Sequence, residues 1–87
     1  MSENIYVGSK PILNYVTAIA SALQRSGTVN VVARGRAITS AVDVVEVSRR
    51  RFFTDLHIED IEIGTEKLQG ENGERNVSTI SITVKRG

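Results

Sequence analysis

Arg34 and Arg36 flank Gly35, and their side chains are the ones in this sequence best suited to hold a phosphate group. A guanidinium group presents a planar fork of donors that matches phosphate oxygens. The glycine lets the backbone approach a ligand closely. The alternative is that both arginines are solvated loop residues and that one of them pairs with a nearby carboxylate. The residues alone leave both interpretations open.

A lysine occupies a similar position earlier in the chain. Lys10 lies between Ser9 and Pro11, after an apolar segment that predicts a strand and before a segment that predicts a helix. If both strand-to-helix loops open at the same end of a sheet, Lys10 lies near Arg34 and Arg36, where open α/β sheets tend to bind ligands. In the alternative, Ser9 caps the helix and Lys10 has no ligand.

The other polar side chains predict no reaction chemistry. His57 is the only histidine, and it has no nucleophile pattern or metal-ligand spacing around it. The sequence has no cysteine, which excludes disulfides and thiolate metal sites and fits a reducing compartment. Its glycines form no nucleotide-binding fingerprint. We therefore expect no enzymatic activity, no metal and no cofactor.

A basic run and two phenylalanines, residues 49–53, end the second predicted helix. Three consecutive arginines on a helix point in different directions, so a structural role near the helix C-terminus is favoured over a binding patch. Two adjacent side chains on a helix cannot both face one core. We expect one of Phe52 and Phe53 to pack inside and the other to be exposed, with a partner contact as one explanation of the exposure.

Arg75 lies near the tip of a predicted hairpin. Ten paired residues would carry such a hairpin roughly 30 Å from the body of the protein, far enough for Arg75 to enter a minor groove. Glu71 and Glu74 lie beside it. A solvated hairpin without a ligand is therefore the alternative.

Charge is distributed unevenly over the 87 residues, although the net charge is only +1. Residues 1–57 carry seven Lys and Arg against four Asp and Glu, whereas residues 58–87 carry four against six. No stretch approaches the ~20 apolar residues of a membrane span. The first residues lack the basic and apolar regions of a signal peptide. We expect an intracellular, cytoplasmic protein that does not bind membranes.

The elements that must position these side chains follow from apolar spacing and from the positions of Gly and Pro. The second strand is nearly all apolar, which predicts burial on both faces. An Asn-Gly pair predicts a tight hairpin turn between the last two strands. The predicted strands are residues 5–7, 29–33, 58–68 and 77–85, the predicted helices are residues 11–26 and 37–53, and residues 70–76 form the hairpin loop.

The element order βαβαββ predicts an α+β fold. Two helices pack on one face of a mixed four-stranded sheet in a two-layer sandwich, with parallel pairing from the βαβ units and antiparallel pairing in the last hairpin. We expect residues 1–87 to form a single domain.

Several motifs resemble the Alba family of archaeal chromatin proteins. Residues 7–16, Val-Gly-Ser-Lys-Pro-Ile-Leu-Asn-Tyr-Val, resemble its first helix motif. Residues 33–38, Ala-Arg-Gly-Arg-Ala-Ile, followed by residues 41–43 and 51–52, resemble its longest signature. Residues 76–80 resemble its closing strand. The motifs occur in the family's order over nearly the whole chain.

The resemblance implies a fold similar to the C-terminal domain of bacterial translation initiation factor three. It implies a homodimer that coats and compacts double-stranded DNA with little sequence preference, and that also binds RNA. A basic patch would contact the phosphate backbone, while two hairpin arms reach flanking minor grooves. The nucleic-acid-binding residues that it implies are Lys10, Asn14, Tyr15, Arg34, Gly35, Arg36 and Arg75.

The resemblance also implies that Phe52 is the aromatic residue through which dimers associate side by side along DNA. The protein would then be associated with the chromosome. The family often has a second lysine where this chain has Ser9, so a proposed acetylation switch at that lysine does not transfer. The same patch would serve the alternative function, an RNA-binding subunit of a ribonucleoprotein.

Overall fold

A computed structural model describes residues 2–87, and its elements follow the predicted order. The helices begin and end within one or two residues of the prediction, except that the second ends in a π-helical turn. Both strands of the hairpin are longer than predicted. The elements are β1 (Ser2–Tyr6), α1 (Ile12–Arg25), β2 (Thr28–Arg34), α2 (Ala37–Val47), the π turn (Ser48–Phe52), β3 (Leu56–Gly70) and β4 (Gly73–Arg86).

The four strands form one mixed sheet in the order β1-β2-β4-β3. β1 pairs with β2 in parallel, and β4 lies between β2 and β3 and is antiparallel to both. β2 and β3 therefore run in the same direction without being neighbours. As a result, the carboxyl ends of β1, β2 and β3 all lie at one end of the sheet.

The core lies between the two helices and one face of the sheet. Alternate residues of β2, namely Val29, Val31 and Ala33, are buried there with Ile82 and Val84 of β4. The intervening residues of β2 on the opposite face are only half-buried. The prediction that β2 is buried on both faces is therefore wrong, because both helices pack on the same side of the sheet and leave the other face open.

Helix α1 begins without a side-chain cap. Pro11 is its N-cap residue, and its carbonyl accepts a 3.0 Å hydrogen bond from the N–H of Asn14. No side chain caps this terminus, so the interpretation of Ser9 as a helix cap is wrong. Neither helix in the described part of the chain has the length and apolar character needed to cross a bilayer.

The end of α2 widens into the π turn. The buried Ser48 hydroxyl donates to the Val44 carbonyl at 2.7 Å, and the N–H of Phe53 donates to the Ser48 carbonyl at 2.7 Å. Phe53 packs against the core, and the Arg86 guanidinium lies 5.4 Å from the centre of its ring. Phe52 is exposed. The expectation of one inner and one outer phenylalanine is confirmed.

The β3–β4 hairpin is paired up to Gly70 and Gly73, so the turn contains only Glu71 and Asn72. The predicted seven-residue loop was wrong because its polar residues still pair through their backbones. Gly73 has a φ of 104°, which favours glycine. β2 stops pairing with β4 at Thr79, so residues 73–78 project past it by about 20 Å. We call the segment from Gly64 to Thr79 the arm.

Candidate nucleic-acid interface

Both strand-to-helix loops open at the same end of the sheet. β1 and β2 are parallel neighbours, and the N–H of Val7 extends their pairing by donating to the Val32 carbonyl at 2.8 Å. Lys10 is exposed in the first loop, and Arg34 is the last residue of β2. The sequence predicted that Lys10 lies near Arg34 and Arg36 if both loops open at one end of the sheet, and the structure meets that condition.

Tyr15 holds the first loop in shape. Its ring is buried, and its hydroxyl oxygen accepts hydrogen bonds from the N–H groups of Gly8 at 2.9 Å and Lys10 at 3.1 Å. Tyr15 thus positions Lys10 from beneath, whereas Asn14 is exposed in the first turn of α1. The sequence prediction included Tyr15 among the binding residues without indicating this supporting position.

Gly35 fixes the second loop to β4. Its φ is +58°, in the left-handed region that favours glycine. Its N–H donates to the Ser78 carbonyl at 2.9 Å, and an added Cβ would lie 3.4 Å from a methyl group of Val77. The turn therefore sits tightly on the base of the arm, with the exposed side chains of Arg34 and Arg36 on either side.

Arg34 has a carboxylate partner on the arm. Its Nη1 donates to Oε1 of Glu66 at 3.3 Å, and both side chains are about half exposed. This contact matches one of the alternatives that the sequence left open for the two arginines. An exposed pair of this kind contributes only about 0–1 kcal/mol, so a phosphate can compete for the guanidinium. Arg36 has no ion pair among residues 2–87.

Arg36 and Arg75 line one concave surface. A cavity of about 480 Å³ lies between the second loop and the arm, and both arginines line it together with Gly35 and residues 76–78. The structure therefore brings the predicted loop arginine and the predicted arm arginine together.

The side chain of Arg75 and that of its acidic neighbour Glu74 lie on opposite faces of the arm. Adjacent residues of a strand point to opposite faces, so Glu74 and Arg75 lie on different sides of the arm. Glu74 accepts a hydrogen bond from Gln69 at 3.1 Å instead. Lys67 pairs across from Asn76 and is exposed on the arm. The spacing of residues along the sequence did not indicate Lys67, because its place on the arm depends on the register of the hairpin.

The basic run at the end of α2 lies outside this end of the sheet and has partners of its own. Arg49 and Arg50 both approach Glu46, with nitrogen–oxygen distances of 2.8 and 3.5 Å. The structural interpretation of this run is therefore supported. Within residues 2–87 no group of three or more His, Asp or Glu side chains is placed to hold a metal ion.

Fold and site together define a class: small α+β proteins with a βαβαββ order, basic strand-to-helix loops and a projecting hairpin at one end of a mixed sheet. The family model of Alba matches residues 3–65. The chain therefore belongs to the Alba family, as its sequence motifs predict.

Relatives with established names resemble the chain over nearly its whole length. DNA/RNA-binding protein Alba 1 of Archaeoglobus fulgidus is 46% identical over 88 residues, which cover 99% of both chains. DNA/RNA-binding protein Alba of Methanocella arvoryzae is 50% identical over 84 residues, covering 94% of this chain and 88% of the relative.

Solved structures show the same fold. Alba from Thermoplasma volcanium superimposes with a TM-score of 0.89 at 44% identity, covering 95% of this chain and 99% of that one. ALBA1 from Trypanosoma brucei superimposes with a TM-score of 0.80 at 23% identity, covering 97% of this chain and 68% of that one. The second comparison shows the fold alone. The predicted fold class is confirmed.

Proposed function

We propose that residues 1–87 act as one nucleic-acid-binding domain that coats and compacts double-stranded DNA without sequence preference. The observation that carries this proposal is the placement of Lys10, Arg34 and Arg36 at one end of the sheet, beside a projecting arm. Archaeal relatives at 46–50% identity are named DNA/RNA-binding proteins, which supports the same function.

The geometry favours contacts to the phosphate backbone rather than to base edges. Arg34 and Arg36 flank a turn that is hydrogen-bonded to β4, so the backbone that carries their guanidinium groups is fixed in position. Phosphate contacts position a protein on DNA and carry no sequence information. Asn14 adds an exposed polar group near Lys10. Arg75, on the arm, is the residue we assign to the flanking minor groove.

We further propose that the chain binds as a homodimer. Ile61 and Ile63 of β3 are 52% and 83% exposed on the helix-side face, because the helices do not reach this edge strand. Val42 of α2 is also exposed, and Ile38 shares a cavity of about 420 Å³ with Ile63. We call Ile38, Val42, Ile61 and Ile63 the apolar strip. A contiguous apolar surface on a small domain is typical of an interaction site.

Exposure of Phe52 supports side-by-side association of such dimers. The π turn presents this ring to solvent while Phe53 closes the core. Dimers joined through Phe52 would form a continuous coat along DNA. Such a coat would place the protein on the chromosome in the cytoplasm of the cell.

A salt titration of duplex DNA binding tests the proposal. A dimer that uses Lys10, Arg34 and Arg36 twice neutralises about six phosphates, so log K should fall with log salt with a slope near −5. Arg36→Glu should abolish most binding. Lys85→Glu is the matched control, because it makes the same charge change on an exposed residue at the opposite end of the sheet. A flat salt response, or an equal loss in both variants, would contradict the proposal.

The alternative function is an RNA-binding subunit of a ribonucleoprotein. The relatives' names include RNA, and the loop surface would serve RNA phosphates equally well. Competition between duplex DNA and structured RNA of equal length for the labelled protein discriminates the two functions. Stronger competition by RNA at each salt concentration would favour the alternative.

A further inference from the structure

The sheet face opposite the helices carries an exposed aromatic side chain next to the phosphate-binding end. Tyr6, at the end of β1, is 70% exposed and points to this open face. Its neighbour in the sheet register is Val32 of β2, which is half-buried. The Tyr6 hydroxyl accepts a 3.2 Å hydrogen bond from the exposed Asn4 side chain.

A shallow cavity of about 430 Å³ begins at this ring. Tyr6 and Val32 give it an apolar wall and floor, and Arg34, Glu66 and Thr79 give it polar groups on the far side. Arg34 and Glu66 hold each other at 3.3 Å through Nη1 and Oε1. An aromatic face, an apolar floor and a few convergent polar groups are the usual composition of a small-ligand site.

We propose that this cavity binds one unpaired nucleobase of a single-stranded nucleic acid, stacked on Tyr6. The proposal rests on the proposed function, because Arg34 belongs both to this cavity and to the phosphate-binding loop. A strand whose backbone follows the loop would bring its next base to the open face. Stacking on aromatic side chains is the general way in which proteins hold unpaired bases.

Stacking on Tyr6 needs an uncovered base face, which excludes a duplex as the occupant. In a duplex the base faces are covered by neighbouring bases, and only the groove edges are accessible. A ring in this cavity must be splayed out of any helix. The loop residues Lys10, Arg34 and Arg36 would therefore bind the phosphates of paired and unpaired nucleic acid alike. The Tyr6 cavity would add affinity only for unpaired segments.

The polar groups predict which bases fit best. The ion pair with Arg34 engages Oε1 of Glu66, so Oε2 is the oxygen that would accept a hydrogen bond from the base. Carboxylates accept from the exocyclic amine of cytosine. Uracil presents a carbonyl oxygen at the same position, and an oxygen facing a carboxylate is repelled. We therefore expect the cavity to prefer cytosine to uracil.

The test compares ring variants on single strands and duplexes. Tyr6→Thr replaces one residue that favours strands with another and removes the ring, whereas Tyr6→Phe keeps the ring and removes only the hydroxyl. Tyr6→Thr should weaken binding to a ten-nucleotide cytidine RNA by about ten-fold and leave binding to a DNA duplex unchanged. Tyr6→Phe should bind both as the wild type does. Unfolding temperatures of all three proteins check the fold.

A second arm of the experiment tests base preference. Wild-type protein should bind the ten-nucleotide cytidine RNA more tightly than the uridine RNA. Glu66→Gln should erase that preference, because an amide can donate to uracil as well as accept from cytosine. Equal affinities of Tyr6→Thr and Tyr6→Phe for the single strand, or a parallel loss on the duplex, would overturn the inference. Failure of the wild type to bind either nucleic acid would instead overturn the proposed function.

Discussion

At the scale of single residues, the contact between Arg34 and Glu66 bears on how strongly the proposed interface would attract a phosphate. The two side chains lie on the open face of the sheet, one at the end of β2 and the other on the arm. A bound phosphate has to replace the carboxylate or share the guanidinium with it. In the proposed interface, Glu66 would therefore weaken phosphate binding by a small amount.

Removing this carboxylate should strengthen DNA binding. Glu66→Gln frees Arg34, and since an exposed pair contributes up to about 1 kcal/mol, affinity for a duplex at low salt should rise by up to about five-fold. Glu62→Gln is the control, because Glu62 lies on the same strand face four residues earlier and has no ion pair among residues 2–87. Electrophoretic titrations of the two variants should differ. An equal gain in both would mean that only the net charge matters.

The site residues differ in how far the sequence predicted their roles. Arg34, Gly35 and Arg36 form a local pattern that is visible in the sequence, whereas the positive φ of Gly35 is known only from the structure. The role of Tyr15 depends on a loop folding back over a helix, which no spacing rule contains. The partner of Arg34 comes from a strand 32 residues later, so it requires the register of the arm.

At the scale of elements, the π turn decides which phenylalanine is available to a partner. The N–H of Phe53 donates to the carbonyl of Ser48, five residues earlier, whereas an α-helix would pair residues four apart. The last turn of the helix therefore contains one residue more than an α-helical turn. Phe53 packs against the core, and Phe52 is 53% exposed. These two adjacent residues provide a matched pair of the same chemistry in different environments.

Truncating each ring should separate assembly from stability. Phe52→Ala should change the free energy of unfolding by less than about 0.5 kcal/mol, as surface substitutions do, and should abolish crosslinked species larger than a dimer on DNA. Phe53→Ala should lose about 2 kcal/mol, less than a fully buried phenylalanine, because its ring is half-buried. Persistence of larger species in Phe52→Ala would exclude Phe52 as the contact between dimers.

A second element-scale feature ties β1 to the far end of α1. The Arg25 guanidinium donates to both carboxylate oxygens of Glu3 at 3.1 and 3.2 Å, and the Ser26 hydroxyl adds a bond at 3.3 Å. Hydrogen bonding from Arg25 is the main reason why the pKa of Glu3 lies below its ordinary value of 4.5. Folding thus favours the ionised form of the Glu3 carboxyl group.

This tie should contribute to stability only when Glu3 is ionised. Because its pKa is lowered in the folded state, the contribution is fully present above pH 4.5 and disappears as the pH falls through the folded-state value. The wild type should therefore unfold at a higher temperature than Glu3→Gln at pH 7, and the difference should shrink on acidification below pH 4.5. A difference that is constant from pH 7 to pH 3 would show that the carboxylate charge is irrelevant.

The fold was predictable to the extent that it depends on local pattern. Apolar spacing between Ile12 and Leu23 and the glycine after it define α1 to within a residue. The position of β4 between β2 and β3 is a matter of long-range pairing, which the periodicity of one strand does not encode. The hairpin turn was misjudged because residues 73–76 are polar and still pair through backbone groups. Pairing of this kind needs no apolar side chains.

At the scale of the whole molecule, the long axis and the apolar strip would determine how the two copies of the proposed dimer share one DNA. The molecule measures 45 × 25 × 19 Å, and the arm accounts for much of its length. Ile61 and Ile63 lie on β3, the strand that continues into the arm. Two copies joined along β3 and α2 would bury the apolar strip of each. Burial would also add to the limited core of an 87-residue chain.

Disrupting the apolar strip should halve the interface with DNA. The double variant Ile61→Gln, Ile63→Gln replaces two exposed apolar side chains with neutral polar ones, so the net charge is unchanged. We expect light scattering to give the mass of a monomer and the salt slope of duplex binding to fall from about −5 to about −3, since three phosphate contacts remain. Leu13→Gln changes another exposed apolar residue, on α1 and outside the apolar strip, and should keep both values. A dimeric double variant would place the interface elsewhere, and a monomer with an unchanged slope would show that the second copy adds no phosphate contacts.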